Sequence, residues 1–141
     1  MLPSDAASWA CASAWPNAKF FSGRAVYTAQ FVWSRPLPRQ AWLAFARIAE
    51  VATVTINGHQ AGVIWTPLAG VKISDWLKEG TNSLSVGVAN LPLNGFLGAP
   101  EEDLKPLRAA YGDRFPAPIE KATALLADSG LIGRAWIRYA P

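Results

Sequence analysis

The sequence is poor in the residues that form covalent or metal-centred sites. It has one cysteine and one histidine among 141 residues. Cys11 therefore has no partner for an internal disulfide, and neither Cys11 nor His59 has the companions that a tetrahedral metal site needs. We interpret Cys11 as a small hydrophobe and His59 as a surface turn residue. The chain also lacks a phosphate-cradling glycine loop, so we predict no cofactor and no metal.

Long apolar runs and clustered charges are absent as well. No run of 18 apolar residues exists for a membrane helix, and no Lys or Arg precedes Lys19, unlike the basic start of a signal peptide. Thirteen cationic and ten anionic side chains leave a net charge of +3, and the cations are scattered as far as Arg138. These features predict a soluble chain whose partner is neither nucleic acid nor membrane. In a larger secreted enzyme, the signal would lie upstream of residue 1.

Strand patterns dominate the part of the chain that follows. Hydrophobic residues make up 51% of the sequence and charged residues 16%, which favours one folded core over disorder. Between Phe20 and Trp33, one richly aromatic set of side chains recurs at every second position, as in a strand. Similar patterns predict strands over residues 41–48, 51–56, 82–90 and 131–139.

Turn-forming residues connect these strands. Asn57-Gly58 lies between two apolar segments, and this pair is typical of a tight β-hairpin because both positions adopt positive φ. Ser74 is a suitable helix N-cap and Gly80 a suitable stop, so we predict a single helical turn from Ser74 to Lys78.

The stretch from Leu91 to Gly130 is long and dotted with proline, and we expect it to be irregular. Loops of this length in compact domains are usually functional or disordered. Its acidic run, Glu101 to Asp103, is interpreted as a solvated loop. Short strands with regular turn signals together predict an all-β fold, an antiparallel β-sandwich of the Greek-key or jelly-roll kind.

Four short motifs carry a resemblance to a known family. They are V-x-I-N-G ending at Gly58, G-x-x-W-x-P over residues 62–67, D-W-L-K-E-G-x-N over 75–82, and S-G-L-I-G over 129–133. In this order the chain resembles the sugar-binding jelly-roll domain of family 2 glycoside hydrolases and the related domain of rhamnosidase-like enzymes. The resemblance implies a galactose-binding-like β-sandwich over residues 20–141, with residues 1–19 as an N-terminal extension that packs on it.

Catalysis by this chain is not expected. A glycosidase requires two carboxylates held across a sugar, and none of the ten Asp and Glu residues forms a recognisable catalytic motif. In the family that the chain resembles, the catalytic acids belong to a separate barrel domain. We therefore predict a non-catalytic carbohydrate-binding or accessory module, with carbohydrate and a glycoside hydrolase catalytic domain as its partners.

Aromatic residues are the strongest functional signal, with seven Trp, six Phe and three Tyr. Sugar rings present apolar C–H faces that stack on aromatic side chains. Aromatic residues at turns or in the irregular stretch, such as Trp15 and Phe115, can lie at the surface. Those inside strand or helix patterns are expected in the core instead: Phe31, Trp33, Trp42, Trp76 and Trp136.

Four residues outside the regular patterns are predicted to bind the ligand. Trp65 and Tyr111 would supply stacking faces, Arg114 a planar donor fork, and Asn94 a paired donor and acceptor. In similar family 2 domains, a loop at the position of Asn94 reaches toward the sugar pocket of the neighbouring barrel. The acidic residue common there is absent here, and Asn94-Gly95 is equally typical of a simple turn.

The alternative to sugar binding is a structural or protein-interaction sandwich. Such a domain would keep the same architecture but pack against another domain or against its own copy. The high apolar fraction favours this alternative, since it can leave a hydrophobic patch for an interface.

Overall fold

The computed structural model describes residues 16–66, 70–111 and 126–141. The expectations for the extension over residues 1–15, for Arg114 and for Phe115 therefore lie outside the described residues. After a 3₁₀ turn at Pro16–Ala18, the elements are strands β1 (Arg24–Trp33), β2 (Gln40–Ala49), β3 (Val51–Ile56), β4 (His59–Ile64), β5 (Gly70–Lys72) and β6 (Gly80–Ala89), helices α1 (Leu93–Gly98) and α2 (Glu101–Tyr111), and strand β7 (Gly130–Ala140).

The strands form two antiparallel sheets. One has four strands in the order β1-β6-β3-β4, and the other has three in the order β5-β2-β7. Alternate side chains of both sheets form one apolar core, and its fully buried members include Leu43, Val54, Ile56, Val86 and Leu131. The prediction of an all-β antiparallel sandwich is confirmed.

The predicted turns are confirmed in detail. Asn57 and Gly58 have φ values of 50° and 85°, as the tight hairpin between β3 and β4 requires. Leu77 donates its backbone N–H to the carbonyl of Ile73 at 2.9 Å, which closes a single helical turn at the predicted place. His59 begins β4 with an exposed side chain that stacks on Trp76.

The expectation of an irregular stretch after Leu91 is wrong as far as residue 111, where α1 and α2 lie. The acidic run forms the first turn of α2, where carboxylates interact favourably with the exposed N–H groups. Pro106 inside this helix obscures its sequence signal, because proline ordinarily interrupts helices. Within the described residues, no helix is long and apolar enough to span a membrane.

The predicted aromatic core is confirmed only in part. Phe31 and Trp33 are buried, and Trp76 packs half-buried against the core. Trp42 and Trp136 are instead half-buried and alternate with the core residues Leu43 and Ile137. The expectation for these two tryptophans is wrong because β2 and β7 carry apolar side chains on both faces, so alternation alone does not identify the inner one.

Candidate functional site

One end of the sandwich holds Trp65 and Asn94, two of the four predicted binding residues, and we call it the helix end. At this end β1 begins opposite the last residue of β6, since Arg24 pairs with Ala89. The last residue of β4, Ile64, pairs with Ala52 near the start of β3. Because Trp65 follows β4 and α1 follows β6, both belong to the same end of the four-stranded sheet.

Asn90 fastens three segments together at the helix end. Its Oδ1 accepts the backbone N–H of Gly23 at 2.7 Å, and its Nδ2 donates to the carbonyl of Phe21 at 2.8 Å. The same Nδ2 lies 2.6 Å from Oγ of Ser129. The segments before β1, after β6 and before β7 are thereby held at fixed positions.

Asn94 has a similar fastening role in α1. Its side chain is 2% exposed, and its Nδ2 donates to the carbonyl of Ala127 at 2.8 Å. Its Oδ1 accepts the N–H of Ala127, also at 2.8 Å. A ligand would have to displace these two bonds to reach the amide, so Asn94 is a positioning residue rather than a solvent-facing one.

Two glycines let α1 pack closely on the segment before β1. A Cβ added at Gly98 would lie 2.3 Å from Cγ of Phe20, and one at Gly95 would lie 2.8 Å from Cβ of Ser22. Both distances are far below van der Waals contact. The two glycines of the N-G-F-L-G sequence therefore allow α1 to pack against Phe20 and Ser22, in addition to the turn that the sequence predicts.

Trp65 and Tyr111 expose their rings to solvent. Trp65, directly after the edge strand β4, is 73% exposed, and Tyr111, the last residue of α2, is 59% exposed. Exposed rings of this size are available for stacking on a ligand. The binding role of these residues, with Arg114, stays a prediction.

Further apolar side chains lie at the helix end, and sequence reasoning missed them. Phe20, Phe21 and Leu91 are 44%, 40% and 51% exposed. The ammonium group of Lys19 lies 5.1 Å from the centre of the Phe20 ring, within the range of a cation–π contact. One sequence signal could have indicated their exposure. Both phenylalanines lie just before Ser22-Gly23, outside the alternating pattern of β1.

Carboxylates near this end are matched with arginines. Asp128 forms an ion pair with Arg47, and Glu101 forms one with Arg108. Each pair is well exposed, so its net contribution to stability is about 0–1 kcal/mol. Within the described part of the chain, no group of three His, Cys, Asp or Glu side chains is placed to hold a metal ion.

Comparisons with known proteins show similarity to parts of glycoside hydrolases. No model of a known protein family matches the sequence. Over 83 residues, or 57% of this chain, the sequence is 32% identical to a protein of Formosa agariphila that is provisionally named a β-glucuronidase, and it covers 7% of that protein. The solved rhamnosidase of Novosphingobium sp. PP1Y superposes with a TM-score of 0.70 at 28% identity, over 89% of this chain and 12% of the rhamnosidase.

A third comparison concerns the fold alone. A Ruminococcus gnavus β-glucuronidase superposes with a TM-score of 0.51 at 22% identity, over 61% of this chain and 16% of that enzyme. The chain is a domain related to those of glycoside hydrolases. It matches only a small part of each relative, as an accessory domain of a glycoside hydrolase does.

Proposed function

We propose that the chain is a galactose-binding-like accessory module of the family 2 type that binds carbohydrate at the helix end without cleaving it. Trp65 and Tyr111 stack on sugar rings, and Arg114 donates hydrogen bonds to sugar hydroxyls. Asn94 and Asn90 hold the loops that carry this surface.

The observation that carries the proposal is the exposure of Trp65. A tryptophan that is 73% exposed leaves most of its large apolar surface in water, so burial of its ring contributes little to the isolated domain. It follows a sheet strand directly, so its backbone position is well defined. A flat and exposed ring is what stacking on a pyranose requires.

A non-catalytic role agrees with the ion pairing of three of the seven carboxylates in the described residues. A hydrolytic site sets one protonated and one ionised carboxyl group across the sugar. Here Asp75, Glu101 and Asp128 are each paired with a nearby cation. These three carboxylates are therefore engaged with cations of the same chain.

The second candidate function is contact with a neighbouring domain. Phe20, Phe21 and Leu91 favour it, because they are exposed apolar side chains at the helix end in addition to the two predicted stacking rings. In this second function, the helix end packs against the catalytic domain of a glycoside hydrolase or against a second copy of the chain.

A glycan array tests the choice between the two. The parent chain should bind at least one class of glycan, and Trp65→Ala and Tyr111→Ala should weaken binding by about 1–3 kcal/mol, the range known for ring stacking on bases. Leu37→Ala serves as the matched control, since Leu37 is 52% exposed but lies between β1 and β2, away from the helix end. No binding of any glycan by the parent chain would favour the domain-contact function.

A further inference from the structure

A trough runs along the outer face of the four-stranded sheet. On its central strand β6, the side chains that alternate with the core residues are small, as at Ser83, Ser85 and Gly87. The flanking strands carry larger side chains in register with them, because Thr28 and Thr55 both pair with Ser85. The result is a cavity of about 380 Å³ that we call the β6 trough, with a floor of serines and walls formed by β1, β3 and the hairpin turn.

The lining of the β6 trough is uncharged, and five of its eight residues carry a hydroxyl or amide side chain among apolar carbon surface. Its residues include Thr28, Gln30, Thr55 and Ser85, and none of its lining residues is ionisable. Within the described ranges, the side chains of these four residues make no hydrogen bond to the protein. Three hydroxyl groups and one amide group are thus free to bind a ligand that donates and accepts hydrogen bonds and has no charge.

A guanidinium group lies at the helix end of the same face. A Cβ added at Gly87 would lie 2.6 Å from Nη2 of Arg24, so the Arg24 side chain crosses β6 where that strand has no side chain. Arg24 forms no ion pair in the described structure. Its planar donors therefore extend the row of hydrogen-bonding groups beyond Ser85.

The central strand of the trough, β6, cannot take an added peptide strand. Peptides that bind to sheets usually pair with a free edge. β6 is bonded on one side to β1 and on the other to β3, so only its side chains are available. A single arginine also provides too little positive charge to bind the phosphate backbone of a nucleic acid.

We propose that the β6 trough binds a neutral oligosaccharide, as a second carbohydrate site separate from the helix end. The volume lies within the usual range for ligand sites, about 300–1,000 Å³. Its lining covers Thr28–Gln30 of β1 and Ser83–Ser85 of β6, so it would take a short part of a chain of linked sugar rings. Hydroxyl and amide side chains in the trough exchange hydrogen bonds with the sugar hydroxyls, and Arg24 donates to the ring nearest the helix end.

Isothermal titration of the full chain tests this second site. The probes are cellohexaose, xylohexaose and mannohexaose, with hexagalacturonate as the acidic comparison. Ser85→Tyr fills the trough from its floor, and Gln30→Ala removes its amide without adding bulk. Val63→Ala is the matched control, because Val63 is exposed on β4 of the same sheet but does not line the trough.

The variants separate the two sites. We expect a neutral hexasaccharide to bind, Ser85→Tyr to lower its affinity at least about tenfold, and Gln30→Ala to lower it about fivefold, as for the loss of a hydrogen bond. Val63→Ala should bind as the parent does. Unchanged affinity in both Ser85→Tyr and Gln30→Ala, or no binding of any neutral probe, would overturn the proposal that the trough binds an oligosaccharide.

Trp65→Ala provides the cross-check on the helix end. Binding that is lost in Trp65→Ala but kept in Ser85→Tyr and Gln30→Ala would overturn the trough and support the helix end. Binding that is kept in Trp65→Ala but lost in Ser85→Tyr and Gln30→Ala would support the site in the trough and contradict the site at the helix end. If Ser85→Tyr changes the molar mass measured by light scattering while no sugar binds, the face is an interface between copies and the proposal fails.

Discussion

Asn57 donates a hydrogen bond from its Nδ2 to Oδ1 of Asn82 at 2.8 Å, and this contact joins two motifs that are far apart in the sequence. Asn82 is fully buried, and its amide also bonds to the backbone of Lys78 and Gly80. Asn57 bonds to the carbonyl of Trp76 as well. The β3–β4 hairpin and the helical turn before β6 are therefore held by one polar network.

Removal of the buried amide should destabilise the fold strongly. Asn82→Ala leaves several backbone groups around Lys78 without partners, and we expect it to lower the free energy of unfolding by about 3 kcal/mol. Lys78→Ala is the control, because only the backbone of Lys78 takes part, and it should change stability by less than about 0.5 kcal/mol. Urea denaturation of both variants measures the difference, and equal midpoints would contradict the role of Asn82.

The close packing of α1 makes a second prediction about stability. Gly98→Ala places a methyl group against Phe20, and we expect it to cost about 1–3 kcal/mol of unfolding free energy. Adding Phe20→Ala to this variant should recover much of the loss, because the clash is then removed. Thermal melts of the single and double variants measure the coupling, and additive effects would show that the two residues do not interact.

Two tryptophans should behave in opposite ways. Trp33 is 7% exposed and its ring meets Tyr139 edge-on at 5.2 Å, so Trp33→Ala should lower the free energy of unfolding by roughly 3–5 kcal/mol. Trp65→Ala should change it by less than about 0.5 kcal/mol. Denaturation curves compare them directly. A large loss of stability in Trp65→Ala would assign that ring to the structure instead of to a ligand.

The chain by itself should show no glycosidase turnover. Aryl glycosides of galactose, glucose, glucuronic acid and rhamnose, incubated with the purified chain, are expected to release phenol no faster than buffer does. The reason is the lack of a recognisable pair of catalytic carboxylates. Release above the buffer rate that disappears in Glu101→Gln or Glu120→Gln would refute the non-catalytic assignment.

Much of the fold could be predicted from the sequence because its signals are local. The alternation that ends at Trp33 predicts β1, and the positive-φ pair at Asn57 identifies the hairpin. α2 was missed because its Pro106 and acidic first turn are typical of loops when read without their neighbours. Trp42 was misplaced because the sequence of β2 is apolar on both faces.

The candidate site could be predicted less well, since it depends on contacts between distant segments. The exposure of Trp65 and Tyr111 agrees with their positions outside the strand patterns. The role of Asn94, in contrast, depends on Ala127, which lies 33 residues away. The β6 trough could not be predicted from the sequence either. Serines in alternate positions of a strand carry no distinctive signal, because the trough forms only when the larger side chains of the neighbouring strands lie in register beside them.

Carbohydrate binding at the helix end is the central claim, and NMR titration tests it directly. With the ¹⁵N-labelled chain and a glycan selected on the array, we predict the largest shifts at the indole N–H of Trp65 and the backbone amides around Tyr111. The indole N–H of the buried Trp33, at the opposite end, should stay unchanged. Saturable shifts that leave out Trp65 and Tyr111, or no shifts at all with such a glycan, would contradict binding at the helix end.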